Sequence, residues 1–295
     1  MSFKASDVKT LREQTGAGMM ACKKALTETN GDMEAAVDFL RKKGLAAAQK
    51  KQSRVAAEGT VATLVEGNKG VLVEVNCETD FVSKGDDFQG FAKSVANDIL
   101  KEGYADITAL KAAKESDVNE LTLKLGEKID IRRFVAKNTD GALGSYNHGG
   151  RIGVLVEVKG ADASNEQVQE LLKDVAMHVA AASPKFLSAN DIDEEFKKKE
   201  AAIYAAQLKE EGKPENMIDK IVDGKLKKLS SEVCLLEQKF VKDPDLTVGK
   251  LVEKVGKEVG AELTLASFSM LTLGEGIEKK EDNLADEVAK MTGGN

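Results

Sequence analysis

Apolar residues recur at helical spacing through the N-terminal part of the chain and predict three short helices. Val8 and Leu11 fall on one face of the first, which Ser6 can cap and Gly16 can end. Cys22, Ala25 and Leu26 share a face of the second, which stops at Asn30-Gly31. Asp32 caps the third, whose Ala36, Val37 and Leu40 point one way before Gly44 closes it. A bundle this small is marginal alone, so residues 1–50 read as a docking module. Lys50 to Glu58 is a polar linker. The period then changes to two. Thr60–Glu66 alternates, Gly67-Asn68-Lys69-Gly70 turns, and Val71–Cys77 runs as a second strand, which makes a β-hairpin. Phe88, Phe91, Ala92, Val95 and Ile99 return to helical spacing and can cover one face of that sheet. Helical pattern continues through Leu110, Val118, Leu121 and Leu125, and Ile129 and Ile131 begin a further strand. A first core subdomain is thus expected over 55–140.

The logic then repeats. Leu143–Tyr146 turns at Asn147-His148-Gly149-Gly150 into Ile152–Val158, and a helix comes next. Between Asp191 and Ser231 the composition shifts to Lys and Glu around the breaker Gly212-Lys213-Pro214. Phe196, Ile203 and Ala206 on one arm, with Ile218, Ile221, Val222 and Leu229 on the other, predict an antiparallel helical hairpin with a narrow apolar seam, inserted at 186–231. Val248, Leu251, Val252, Val255 and Val259 mark a later helix, and Leu263-Thr264-Leu265 opens a strand towards Leu273. Residues 141–185 and 232–273 form the second core subdomain. A last helix with Leu284, Val288 and Met291 lies in a C-terminal module, 274–295, and its apolar stripe docks on the body or on a partner; the pattern does not choose. The expected class is α+β, with duplicated α/β core units and small antiparallel sheets.

The duplication is visible letter by letter. Gly70-Val71-Leu72-Val73-Glu74-Val75 recurs unchanged as Gly153 to Val158. The residues beyond each copy differ: Asn76-Cys77-Glu78-Thr79-Asp80-Phe81-Val82-Ser83-Lys84 in the first, and the small, polar Lys159-Gly160-Ala161-Asp162-Ala163-Ser164 in the second. Aligning Val95 with Val175 shows that the second copy has three fewer residues between strand and helix. Copies that share a fold diverge where one has been specialised. That place carries Asp80 beside Phe81.

Composition narrows the possibilities. The 295 residues are enough for about two domains. With 43 basic against 50 acidic residues, the net charge of −7 argues against bulk nucleic-acid or anionic-membrane binding. Lys42, Lys43, Lys50, Lys51 and Arg54 form a concentrated basic run that is a candidate stripe, and such a run reads first as a solvated face. Cys22, Cys77 and Cys234 are odd in number and widely spaced, which excludes a disulfide framework and disfavours structural zinc. Neither a signal peptide nor a bilayer-spanning run is evident, so a cytoplasmic protein is expected. His178 sits beside Val175 and Val179 as a packed structural histidine, whereas His148 lies among turn glycines and is expected to be exposed. No phosphate-binding loop or nucleophile elbow is present. No catalytic residue, metal ligand or cofactor is assigned.

Two readings of Asp80-Phe81 are open. Phe81 can cap the apolar core where strand meets loop, with Asp80 bonding nearby amides. Alternatively Phe81 is a protruding wedge and Asp80 orders the loop behind it. Met19-Met20 poses a similar choice: adjacent helical positions cannot both face one core, so one thioether is expected to point outward.

At these stretches the sequence resembles the bacterial elongation factor Ts family. Leu11-Arg12-Glu13-Gln14-Thr15-Gly16-Ala17-Gly18-Met19-Met20-Ala21-Cys22-Lys23-Lys24-Ala25-Leu26 is similar to its N-terminal signature, and Glu74 to Lys84 to its second. The likeness extends to Gly144 to Gly149, Ala176 to Ala180 and Gly274 to Lys279. One departure is Ala21, where relatives often carry an acid. The resemblance implies a guanine-nucleotide exchange factor whose partner is the GTPase elongation factor Tu, in translation elongation, with no direct nucleic-acid or membrane contact. It further implies that Thr79, Asp80, Phe81 and Val82 disturb the magnesium and phosphate site of that GTPase, and that Arg12, Met19, Met20 and His148 give supporting contacts. Two other classes stay open on the residues alone: a scaffold or holdase without exchange activity, and an α/β enzyme using Asp80 and His148.

Overall fold

The computed structural model describes residues 3–278, without the side chains of Ala47 and Ala48. The expected C-terminal helix with Leu284, Val288 and Met291 therefore lies outside the described residues. The class is α+β. The chain divides into two compact units. Unit 1 takes the stretch ending at Ala62, Val73–Phe134 and the stretch from Thr272; unit 2 takes Thr63–Leu72 and Val135–Leu271.

Helices α1 (Ala5–Thr15), α2 (Met19–Glu28) and α3 (Met33–Lys51) open unit 1. Leu11, Ala17, Cys22, Ala25, Leu26, Ala36 and Leu40 close their common core. Ser6 is not the cap of α1: the helix starts earlier, and the Asp7 carboxylate accepts the Lys4 amide at 2.7 Å. Asp32 caps α3 through the Ala35 amide, as its position predicts. Gly44, however, does not end α3. The helix continues to Lys51 and occupies part of the expected linker.

The reason is tertiary. Next come β1 (Glu58–Glu66), β2 (Lys69–Cys77), α4 (Asp80–Ser83), α5 (Asp86–Glu102), α6 (Ile107–Ala113), α7 (Glu115–Leu125) and β3 (Asp130–Asn138). Gly44 faces α7, where a Cβ added to it would come within van der Waals reach of Asn119 and Leu123, and Leu123 packs on the three-helix core. That packing outweighs a glycine's helix penalty of about 1 kcal/mol. The expected run of helix from Phe88 to Leu125 is three helices instead. It breaks where Gly103 takes a left-handed φ of 66° and Asp106 caps α6, and again at Lys114.

The first sheet has the order β1-β2-β3. The central strand β2 is buried from Gly70 to Cys77. Among its apolar residues sits Glu74, wholly withdrawn from solvent. Arg133 Nε donates to its Oε2 at 2.6 Å, Arg132 Nη1 to both oxygens at 3.1 Å, and the Gly274 amide to Oε1 at 2.8 Å. Burial alone pushes this carboxyl up. The Gly274, Arg133 and Asn76 hydrogen bonds together outweigh it and hold Glu74 below the usual carboxylate range.

In unit 2, β4 (Ala142–His148) and β5 (Ile152–Lys159) form an antiparallel hairpin, followed by α8 (Glu166–Ala182), α9 (Glu194–Glu210), α10 (Glu215–Val233), β6 (Lys239–Phe240), β7 (Asp243–Thr247), α11 (Val248–Val259) and β8 (Thr264–Thr272). The second sheet has the order β4-β5-β8. The helices after the two hairpins, α5 and α8, have 17 residues each. One shared detail is steric. A Cβ on Gly59 would lie 2.1 Å from the Val75 carbonyl, and one on Gly141 2.3 Å from that of Val158, so only glycine fits where each hairpin begins.

Helices α9 and α10 pair as expected, but the seam on α9 is displaced. Leu208 is buried, with Ala201, Tyr204 and Ala205 against Ile218, Val222, Ile221 and Leu226. Ile203 and Ala206 face outward, and Phe196 packs edge-on against Phe186 at 5.1 Å. Leu208, the largest aliphatic side chain near the turn, sets the phase of the helix, so its i−3, i−4 and i−7 neighbours line the seam.

His178 is buried, as its apolar neighbours predict. Its Nε2 meets Gln238 Oε1 at 3.0 Å and its Nδ1 accepts the Val241 amide at 3.3 Å. Burial lowers its pKa, against a smaller opposing effect of Gln238. The folded protein thus binds less proton than the unfolded chain below the ordinary value of 6.5, and this group's stabilisation is lost as pH falls through that window. Urea midpoints measured from pH 7.5 downward should begin to fall near pH 6.5, and His178→Gln should flatten that first decline. Glu74→Ala should cost about 3 kcal/mol in the same melts, the low end for breaking a buried ion pair, because Arg132 and Arg133 lose their buried partner but keep Glu275 and Thr272 as acceptors. Glu157→Ala, at the repeat-equivalent but only partly buried position bonded to Thr139 and Ser267, should cost less.

Candidate functional site

The two copies part company just beyond their central strands. After β2 the chain forms one helical turn, α4, before α5, whereas β5 passes to α8 through the turn at Gly160–Asn165. Thr79 is extended and caps α4, its hydroxyl accepting the Val82 amide at 3.3 Å. Ser83, buried, donates to the Asp80 carbonyl at 2.8 Å, and Gln89 Nε2 donates to the Ser83 carbonyl at 2.6 Å. Asp80 pairs with Lys84 at 2.7 Å, and this hydrogen bond holds its carboxyl below the usual range. With Ser83 turned inward, Phe81 faces out. It is 85% exposed, which excludes the core-cap reading. Val82 is half-buried beside it.

Under the turn lies a set of hydrogen bonds that the residue pattern alone does not single out. Glu127, between α7 and β3, accepts the Glu78 and Thr79 amides on one oxygen at 3.0 Å each, and the Thr79 hydroxyl on the other at 2.6 Å. Glu78 answers by accepting the Lys128 amide at 2.7 Å and pairing with Arg54 at 3.2 Å. Lys128 Nζ donates to the Gln52 and Arg54 carbonyls, and Lys51 Nζ to that of Gly126. Lys51 and Arg54 thus spend their charge on this frame, while Lys42, Lys43 and Lys50 are exposed. Cys77 Sγ donates to the Thr79 carbonyl at 3.1 Å, and burial pushes its thiol up to about 12, so it stays protonated.

Arg12, Met19 and Met20 gather on the α1–α3 bundle of unit 1. Met19 and Met20 are 61% and 75% exposed, so both thioethers point outward, not one as expected. They form the first turn of α2, beyond the end of the core that Cys22 closes. With Phe3, Val8, exposed Arg12 and Lys23 they line an open groove of about 460 Å³. Ala21 is partly buried against the bundle's core, so an acid there would meet apolar neighbours.

His148 belongs to unit 2. It is exposed, as expected, but it ends strand β4 opposite Ile152 and is not itself part of the turn. Its Nδ1 meets the Tyr146 hydroxyl at 3.0 Å. Among the described residues, no helix is long and apolar enough to cross a membrane.

Comparison with known proteins gives a consistent result. The family model described as elongation factor TS matches residues 78–275. Curated proteins named elongation factor Ts resemble nearly the whole chain. The protein from Clostridium perfringens is 51% identical over 300 residues, covering 98% of this chain and 99% of its own. That from Trichlorobacter lovleyi is 49% identical over 309 residues, with 99% of each chain covered. That from Alkalilimnicola ehrlichii is 48% identical over 303 residues, covering both chains completely.

An aromatic so exposed adds little to the stability of the fold that carries it. Phe81→Ala should shift the free energy of unfolding by no more than about 0.5 kcal/mol, measured by urea melt. A loss of about 3–5 kcal/mol would instead mark Phe81 as a core residue.

Proposed function

Because the chain belongs to the elongation factor Ts family, we propose that it is a guanine-nucleotide exchange factor for elongation factor Tu and that Phe81 is its wedge. The supporting observation is an exposed phenylalanine on a hydrogen-bonded turn, placed where one copy of a duplicated unit has been elaborated. In this reading Phe81 enters between helices of the GTPase, and Thr79, Asp80 and Val82 shape the turn that carries it. Arg12, Met19 and Met20, on the docking module at residues 1–50, and His148 make supporting contacts.

The physical argument needs no covalent step. Nucleotide affinity in a GTPase rests heavily on a metal ion that bridges the phosphates and protein side chains. A protein that binds the nucleotide-free state more tightly must, by linkage, weaken nucleotide binding by the same factor. A wedge that fits only the rearranged site supplies that differential contact. Release also requires that the complex come apart again. A few apolar anchors, Phe81, Met19 and Met20, within a charged surface suit a reversible interface.

Stopped-flow release of a fluorescent guanine nucleotide from elongation factor Tu tests the proposal. The protein should accelerate dissociation of both GDP and GTP. Phe81→Ala should lose most of that acceleration, and Asp80→Ala less of it, because Asp80 acts on the turn through Lys84. Binding without any change in release rate would point to a scaffold or holdase and overturn the exchange reading.

A further inference from the structure

Glu127 occupies a junction that occurs twice in the chain and is built differently each time. In unit 1, α7 ends at Gly126 in the left-handed conformation, Glu127 comes next, and β3 joins β2. In unit 2, α11 ends at Gly260 in the same conformation, Glu262 comes shortly after, and β8 joins β5. Here the loop beyond β5 rests directly on this junction. Gly160 has a φ of +75°, and a Cβ there would lie 2.1 Å from the Glu262 carbonyl. Backbone packs on backbone, and no room is left for a side chain.

The first copy opens that contact. Where the second copy has Gly160, the loop beyond β2 carries side chains, and the Glu127 carboxylate bridges it to the junction. One oxygen takes two successive amides and the other takes the hydroxyl of the residue that caps α4. A carboxylate accepting several N–H and O–H groups makes the strong, charge-assisted kind of hydrogen bond. It also fixes the direction of the Glu78-Thr79 peptide, and with it the axis of a turn too short to hold itself.

We infer that Glu127 is a positioning residue for nucleotide exchange, holding the Thr79–Ser83 turn so that Phe81 projects in one fixed direction. The inference rests on the exchange reading proposed above and adds to it a residue outside the Thr79–Val82 stretch. Glu127 acts through Phe81: without it the turn keeps its residues but loses its aim, and the order that binding must restore slows release.

The test is maximal nucleotide release from elongation factor Tu at saturating factor, with a urea melt on every sample. The proteins are wild type, Phe81→Ala, Glu127→Ala, Glu127→Gln and the double variant Phe81→Ala/Glu127→Ala. Glu127→Ala, which removes all three hydrogen bonds, should slow maximal release by at least roughly tenfold, since losing a single charge-assisted hydrogen bond is already on that scale. Glu127→Gln should recover most of the rate, since its amide oxygen can take both backbone N–H groups while its NH2 donates to a reoriented Thr79 hydroxyl. The double variant should be no slower than Phe81→Ala alone, because a residue that acts through Phe81 has nothing left to aim. A merely structural role would lower the urea midpoint and slow both backgrounds alike. Equal slowing in both backgrounds, or wild-type release by Glu127→Ala while Phe81→Ala is slow, overturns the inference and leaves the exchange reading standing. Wild-type release by Phe81→Ala overturns the reading itself. If Glu127→Ala does not fold, Thr79→Val cuts the hydroxyl link alone. It must then show a partial slowing that vanishes in the Phe81→Ala background, and slowing that persists there overturns the inference.

Discussion

A carboxylate with no access to water organises unit 1. Glu74 lies in the middle of β2, and a buried charge of this kind is tolerated only when its oxygens are fully partnered. Arg132 and Arg133 come from β3, and the Gly274 amide from the segment just after β8. Arg133 also donates to the Thr272 carbonyl and pairs with Glu275. One side chain therefore fixes the register of β3 against β2 and the course of the chain after β8. Its repeat-equivalent, Glu157, is only partly buried and makes do with the hydroxyls of Thr139 and Ser267. The same residue in the same strand takes charged or neutral partners according to how far it is withdrawn from water.

The firmness of β2 matters because of what stands at its end. Phe81 gains little burial from its own fold, so its direction is set by the polar atoms around the turn. The Thr79 hydroxyl, Ser83, Gln89 and the Glu127 carboxylate hold α4 from different sides. This is a costly way to display one apolar ring, and it is intelligible if the ring must reach a partner already oriented. Ordering a loose loop on contact would subtract from the free energy available to distort that partner.

Much of this was legible in the sequence, and the reasons are particular. Cys22, Ala25 and Leu26 share a helix face because that segment answers mainly to local period, whereas Thr60–Glu66 forms its strand as expected but shows no alternation of burial. The repeat exposed the divergent loop, since Gly70 to Val75 and Gly153 to Val158 are identical and the residues after them are not. The features that stayed hidden depend on distant neighbours. Gly44 reads as a stop until α7 is seen beside it. The seam of α9 is set by Leu208 and not by Ile203, which only the pairing with α10 decides. Glu127 is one of 50 acidic residues, and composition alone gives no reason to single it out. The parallel between Gly126-Glu127 before β3 and Gly260 to Glu262 before β8 is a signal that could have found it, once the third strand of each sheet is known.

The central claim is that Phe81 discriminates between two states of the GTPase and does not simply add affinity to both. Calorimetric titration of elongation factor Tu, once nucleotide-free and once saturated with GDP, against wild type and Phe81→Ala measures that difference directly. The account predicts that wild type binds the nucleotide-free form far more tightly, and that Phe81→Ala loses affinity mainly for that form, so the ratio of the two constants contracts. An equal loss in both states, with the ratio unchanged, would contradict it.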